Sequence, residues 1–260
     1  MKTYPLTKPG HRTRARPVAG CAAVLALASL AGCGGSADSA EPERRRFGPV
    51  GDRLVISKNV GDLDIKPADV EEVQVTRRLS GQSLIGGRPK ATWELKGDEL
   101  TLSVDCGTLA SRCSISYEVL VPRRVTPTIK GENGTISASG FGTGLRIRTG
   151  NGAVSVTDAS GPLTLESENG ELRATGVTSR RVDASSQNGQ IHLSLTTVPD
   201  KVGVTTENGA VQVEVPKAAY KVVTTTENGS VSADVPRDDA SPHTITIRTL
   251  NGPIALRTAR

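Results

Sequence analysis

From Gly131 onward, apolar and polar residues alternate in short runs that break at an Asn-Gly pair and resume on its far side one residue out of phase. The pairs are Asn133-Gly134, Asn151-Gly152, Asn169-Gly170, Asn188-Gly189, Asn208-Gly209, Asn228-Gly229 and Asn251-Gly252, at spacings of 18, 18, 19, 20, 20 and 23 residues. Six and four positions before the Asn lie Leu145 and Ile147, Leu163 and Leu165, Val202 and Val204, or Ile245 and Ile247. Three and five positions after it lie Ile136 and Ala138, Val154 and Val156, Ile191 and Leu193, or Val211 and Val213. A period of two on each side predicts a strand with one buried face. A repeat near 20 residues predicts stacked two-strand units.

Asn-Gly suits a corner that must re-aim the chain, because both residues tolerate positive φ and Gly does so at no steric cost. Two positions before each Asn the residue is always small: Gly131, Thr149, Ser167, Ser186, Thr206, Thr226 or Thr249. A cramped inner corner accounts for that, and a hydroxyl there can satisfy a backbone group nearby. Two architectures use such units. A meander pairs each strand with its chain neighbour across type I′ turns. A β-solenoid stacks each strand in parallel on its equivalent one repeat later, about 4.8 Å away. Stacking explains why the same small residue recurs at the same offset, so the expectation is an all-β β-solenoid of roughly 20-residue rungs.

An earlier segment, LVISKNVGDLDI, fits the template with Val60-Gly61 at the corner and Leu54, Ile56, Leu63 and Ile65 facing inward. It reads as an atypical first rung where the stack must be capped. Val73, Val75, Trp93, Leu95, Leu100, Leu102, Val104, Ile115, Tyr117, Val119 and Val121 also alternate, with a tight turn at Lys96-Gly97-Asp98-Glu99. No amphipathic helix stands out after residue 32. The expected organisation is therefore an irregular strand-rich part over 51–125 and a regular Asn-Gly solenoid over 126–260.

The first residues change the charge picture. Lys2, Lys8, Arg12, Arg14 and Arg16 precede the apolar run VAGCAAVLALASLAG, the layout of a secretory signal. That run is short of the roughly 20 apolar residues that span a bilayer. Leu30-Ala31-Gly32-Cys33 resembles the lipobox of bacterial lipoproteins, which predicts a signal peptide over 1–32, lipidation of Cys33 and residence on the outer, extracytoplasmic face of the cell membrane. Two acyl chains suffice for stable anchoring. Losing 1–32 removes five of the 32 basic residues and none of the 27 acidic ones, so the remainder is neutral. The basic excess is thus a targeting device, and no nucleic-acid partner is expected. Residues 33–50 read as a flexible tether in which Arg44, Arg45 and Arg46 are a solvated linker or touch anionic headgroups. Cys106 and Cys113 are then left, and in an exported protein they are expected to close the loop CGTLASRC as a disulfide.

The early VGDLDI unit, the strands ATWELKGDELTLSVDC, the link ISYEVLVPRRVTPTIKGENGTISA and the Asn-Gly rungs together resemble the bacterial DUF4097 family over about 51–257. That resemblance implies an exported or envelope-associated β-solenoid, labelled adhesin-like for its architecture, with no catalytic residue to carry over. Glycan-active β-helix enzymes need two or three carboxylates, or a base and basic partners, converging on one face. The outward positions instead hold Thr164, Glu166, Arg146, Arg148, Asp183, Ser185 and Thr205, with His192 alone and His243 in a loop. Glu132, Glu168, Glu207 and Glu227 each precede an Asn-Gly; Gly150 and Gln187 interrupt the row, which leaves Glu207 and Glu227 as neighbours on adjacent rungs. Solvated corner residues are the simpler reading of that pair, and a divalent cation the sharper one. The expectation is a non-catalytic, lipid-anchored surface interaction or structural protein that uses no cofactor and meets a surface protein or glycan. Its rivals are a glycan-active enzyme and an accessory in envelope-stress sensing.

Overall fold

A computed structural model describes residues 41–83, 89–106 and 110–259. Its strands in chain order begin with β1 (Glu43–Phe47), β2 (Arg53–Lys58), β3 (Asp62–Ala68), β4 (Val73–Ser83), β5 (Lys90–Lys96), β6 (Glu99–Asp105) and β7 (Ala110–Pro122). The rungs continue as β8 (Thr126–Asn133) with β9 (Ile136–Ser139), β10 (Leu145–Asn151) with β11 (Val154–Thr157), and β12 (Leu163–Asn169) with β13 (Leu172–Val177). Next come β14 (Arg181–Asn188) with β15 (Ile191–Leu195) and β16 (Lys201–Asn208) with β17 (Val211–Val215). The last two are β18 (Lys221–Asn228) with β19 (Val231–Asp234) and β20 (Thr244–Asn251) with β21 (Ile254–Thr258).

The first strand of every rung enters a 10-stranded sheet and the second an 11-stranded sheet, and equivalent strands pair in parallel with equivalent residues aligned. The meander is thereby excluded. Hydrophobic alternation becomes rows along the stack. Leu100, Ile56, Ile129, Ile147, Leu165, Ala184, Val204 and Ile247 form one such row in the first sheet, each at most 4% exposed. Tyr117, Leu63, Ile136, Val154, Leu172, Ile191, Val211 and Ile254 face them from the second, each at most 2% exposed. Burying each of the large aliphatic side chains contributes about 1.5–3 kcal/mol. One core joins the irregular and regular parts, so the boundary expected near residue 125 divides regularity and leaves the packing continuous.

The order of rungs departs from the order of the chain at both ends. β20–β21 lies between β16–β17 and β18–β19, so the last rung in sequence is the second in space. The span from Val235 to His243 provides the chain that steps back, which accounts for the long final spacing. At the other end β2–β3 is inserted between β6–β7 and β8–β9. The first rung is therefore internal, correcting its expected place at the cap. The cap is built by antiparallel pairings instead: β5 on β6, and β1 on β4 on β7.

The tether expectation is corrected as well. Glu43–Phe47, placed by sequence in the flexible segment 33–50, forms an edge strand with Phe47 buried. Arg77 holds Glu43 at 2.7 Å and stacks on Trp93 at 4.1 Å, while Arg45 donates to the Trp93 carbonyl. Three consecutive arginines with one apolar residue carry little strand signal; the docking comes from side chains distant in sequence.

Candidate functional surface

The Asn-Gly corners form one continuous edge of the stack. Each Asn amide donates through Nδ2 to the Oδ1 of its neighbour toward the N-terminal end: Asn151 to Asn133, Asn169 to Asn151, Asn188 to Asn169, Asn208 to Asn188, Asn251 to Asn208 and Asn228 to Asn251, at 2.8–3.2 Å. Backbone bonds run beside it, for example Gly152 N to Asn169 O and Gly189 N to Asn208 O, both 2.9 Å. The Asn residues do not adopt positive φ, contrary to the sequence expectation; their role is this amide ladder. Among the corner glycines only Gly134, Gly152, Gly170 and Gly252 have φ between 103° and 157°. The common requirement is space, since a Cβ on any of the seven would fall 1.9–2.3 Å from a carbonyl oxygen of the adjacent rung.

Five of the small residues before the corner are buried, from Thr149 at 1% to Ser167 at 7% exposed, while Gly131 and Thr226 are half-buried. Their hydroxyls reach across rungs to glycine carbonyls, as Thr226 does to Gly252 O at 3.1 Å, while Thr149 and Ser167 Oγ have no partner. Lys58 holds the same position on the inserted first rung. Its ammonium donates to Gly61 O at 2.7 Å and Asn133 O at 2.8 Å, closing the interior end of the column. A Cβ on Gly131 would lie 3.3 Å from Lys58 Cε, so the glycine makes room for the lysine. Burial pulls the Lys58 pKa down to about 8, with the nearby Asp62 carboxylate opposing.

The expected disulfide is present between Cys106 and Cys113. It ties the end of β6 to the start of β7, where β7 and β4 run past the level of the regular corners as an antiparallel pair. The lipidation candidate Cys33 lies outside the described residues. Glu207 and Glu227 are placed by the insertion of β20 on either side of Leu250, which is 43% exposed. The adjacency on which that cation candidate rested is therefore absent. Among the described residues no cluster of three His, Cys, Asp or Glu side chains has the arrangement of a metal site.

The outer face of the 10-stranded sheet carries the most varied chemistry. Along one row Thr128, Arg146, Thr164, Asp183, Gly203 and Thr246 stand in register. Gly203 interrupts the row of side chains, and the Asp183 carboxylate leans into the gap, 2.7 Å from where a Cβ would be. The resulting depression of about 390 Å³ is flanked by Glu166, Asp183, Lys201 and Arg248 with Thr164 and Thr246. Arg146 pairs with Glu166 at 3.1 Å and Arg148 approaches it at 3.8 Å. Such a face supplies hydrogen bonds and both charge signs over a broad, shallow area. Trp93 packs within the cap beside Phe47, with ring centroids 6.1 Å apart, and is not a platform on this face. The notch escaped sequence reading, although a lone Gly between two strand-forming valines was its visible sign.

Solved structures similar to this chain include a putative cell adhesion protein from Clostridium sporogenes ATCC 15579, with 16% identity and a TM-score of 0.39, covering 84% of this chain and 99% of that one. A putative adhesin from Bacteroides fragilis NCTC 9343 has 13% identity and a TM-score of 0.43, covering 85% of this chain and 98% of that one. No curated protein matches the chain. The profile described as Toastrack DUF4097 matches residues 51–256, nearly the whole of the two-sheet stack. The chain belongs to the Toastrack DUF4097 family.

Proposed function

We propose that this protein is a non-catalytic surface-interaction module, held by lipid on Cys33 at the outer face of the cell membrane, that meets a surface protein or glycan through the face around Gly203. The observation that carries the reading is the form of that face: a flat ladder of Thr, Ser and paired charges with a shallow notch at Gly203. Flat polar faces bind extended partners through many weak contacts, whereas chemistry needs a few groups convergent in a water-excluded cleft. The membrane attachment rests on the lipobox resemblance alone.

The test combines fractionation with capture on intact cells. Cys33→Ala is expected to leave the membrane fraction, and a photo-crosslinking residue at Thr246 is expected to capture a partner that is lost in Lys201→Glu/Arg248→Glu. Retention of Cys33→Ala in the membrane overturns the anchor. Capture unchanged by the double charge reversal, or turnover of an envelope glycan by the purified protein, overturns the face as a binding surface.

A further inference from the structure

The two ends of the stack are finished differently. At the N-terminal end the outermost strands are β1 and β5. β1 carries charge at Glu43, Arg44, Arg45 and Arg46, and β5 begins and ends on Lys90 and Lys96. Phe47, Trp93 and Arg77 cover the core beneath them. Charged edges and a lid are how sheets avoid pairing with another chain.

The C-terminal end lacks the lid, and the middle of its edge strand carries no charge. Its outermost rung is β18–β19, and the run from Val222 to Thr226 is uncharged, β-branched throughout and free of proline. Val231 occupies the position at which Val211 and Ile254 are 1% exposed, yet is itself 44% exposed; Val223 is 41% exposed. Two edge strands and the end of the core are thus presented together, which is the surface that another strand pair completes.

We infer that this end docks a second copy of the chain, rung β18–β19 against its counterpart, antiparallel about a twofold axis through Thr224. The sequence of the edge strand is self-complementary in that register. Lys221 opposes Glu227 of the second copy and Glu227 opposes its Lys221, and neither residue has an ion-pair partner among the described residues. Parity agrees: Val222 meets Thr226 on the core side, and Val223 meets Thr225 on the outer side. β19 meets β19 in the other sheet and Val231 is covered. This isologous arrangement consumes both open edges and closes, whereas head-to-tail stacking leaves new edges and grows into a filament. It is independent of the anchor and of the Gly203 face, so either reading can fail alone.

The full-length protein in detergent micelles tests this by sedimentation. The expected result is a dimer at roughly 10 μM, weakened at least about tenfold by Lys221→Glu or by Glu227→Lys, and restored to within about threefold in the double exchange. Thr224→Cys is expected to form an intersubunit disulfide on mild oxidation, whereas Thr128→Cys, on the outer face away from this end, does not. Should a charge reversal impair folding, the cysteine pair decides. A monomer up to about 100 μM, single reversals without effect, or species that grow beyond dimer overturn the inference.

Discussion

Replacing Gly209 by Ala tests whether the corner glycines are there for space. A Cβ on Gly209 would stand 2.0 Å from Gly189 O and 2.6 Å from Gly189 C, both backbone atoms with no flexible end to move aside. Restoring an ordinary carbon–oxygen contact needs the two corners to part by more than about 1 Å, a large fraction of the roughly 4.8 Å between rungs. That displacement stretches Gly189 N to Asn208 O and Asn208 Nδ2 to Asn188 Oδ1, both now 2.9 Å, beyond hydrogen-bonding range. Two bonds at about 1 kcal/mol each and overpacking strain of about 1–3 kcal/mol give a loss of about 3–5 kcal/mol. The alanine also restricts the unfolded chain, which returns about 0.4–1 kcal/mol. Gly48→Ala is the control, since nothing lies within 4 Å of its Cβ. Urea unfolding followed by far-ultraviolet circular dichroism, at matched m-values, measures both. Gly209→Ala within about 1 kcal/mol of Gly48→Ala would refute the steric account, because the unfolded-state effect is common to both.

Asn208→Asp removes the donor to Asn188 and places a charge in the amide ladder, so it is expected to lower the unfolding midpoint more than Asn208→Ala, and more at pH 7 than below the carboxyl pKa. Opening the Cys106–Cys113 bridge, whose loop is short, is expected to cost about 2–3 kcal/mol, read as a lower melting temperature of Cys106→Ser/Cys113→Ser with no further loss on adding reductant. For Lys58 the folded pKa, near 8, lies below the ordinary 10.5, so between these values the unfolded chain holds the extra proton. Stability relative to Lys58→Met should therefore rise from pH 8 to pH 10.5 and be flat below that window, as checked by denaturant titrations across it.

What was legible in the sequence was whatever repeats. Inward pairs such as Leu163 and Leu165, and the Asn-Gly period, fix the rung and its register because every parallel neighbour presents the same pattern. The order of rungs was hidden for the same reason: β18 and β20 fit β16 equally well by pattern. One signal was available. Thr224 stands where Ile147, Leu165, Val204 and Ile247 stand in other rungs, and a polar residue in a core row marks the end of the stack. The amide ladder is hidden in the sequence because turn preference alone accounts for Asn at a corner. Lys58 carries no signal of its own in the sequence, because a buried ammonium is intelligible only once Asn133, 75 residues away, brings its carbonyl.

The inserted rung β20–β21 also constrains how the chain reaches this state. Emerging from the N-terminus, β18–β19 is completed before β20–β21 exists, and its final partner is the later segment. It must stay unpaired or stack first on β16–β17 and afterwards yield that place. Assembly cannot proceed as a zipper running from one end. Residues 244–258 act as a wedge driven in last, and a chain made without them would close one rung shorter, with Thr224 lying against Val204.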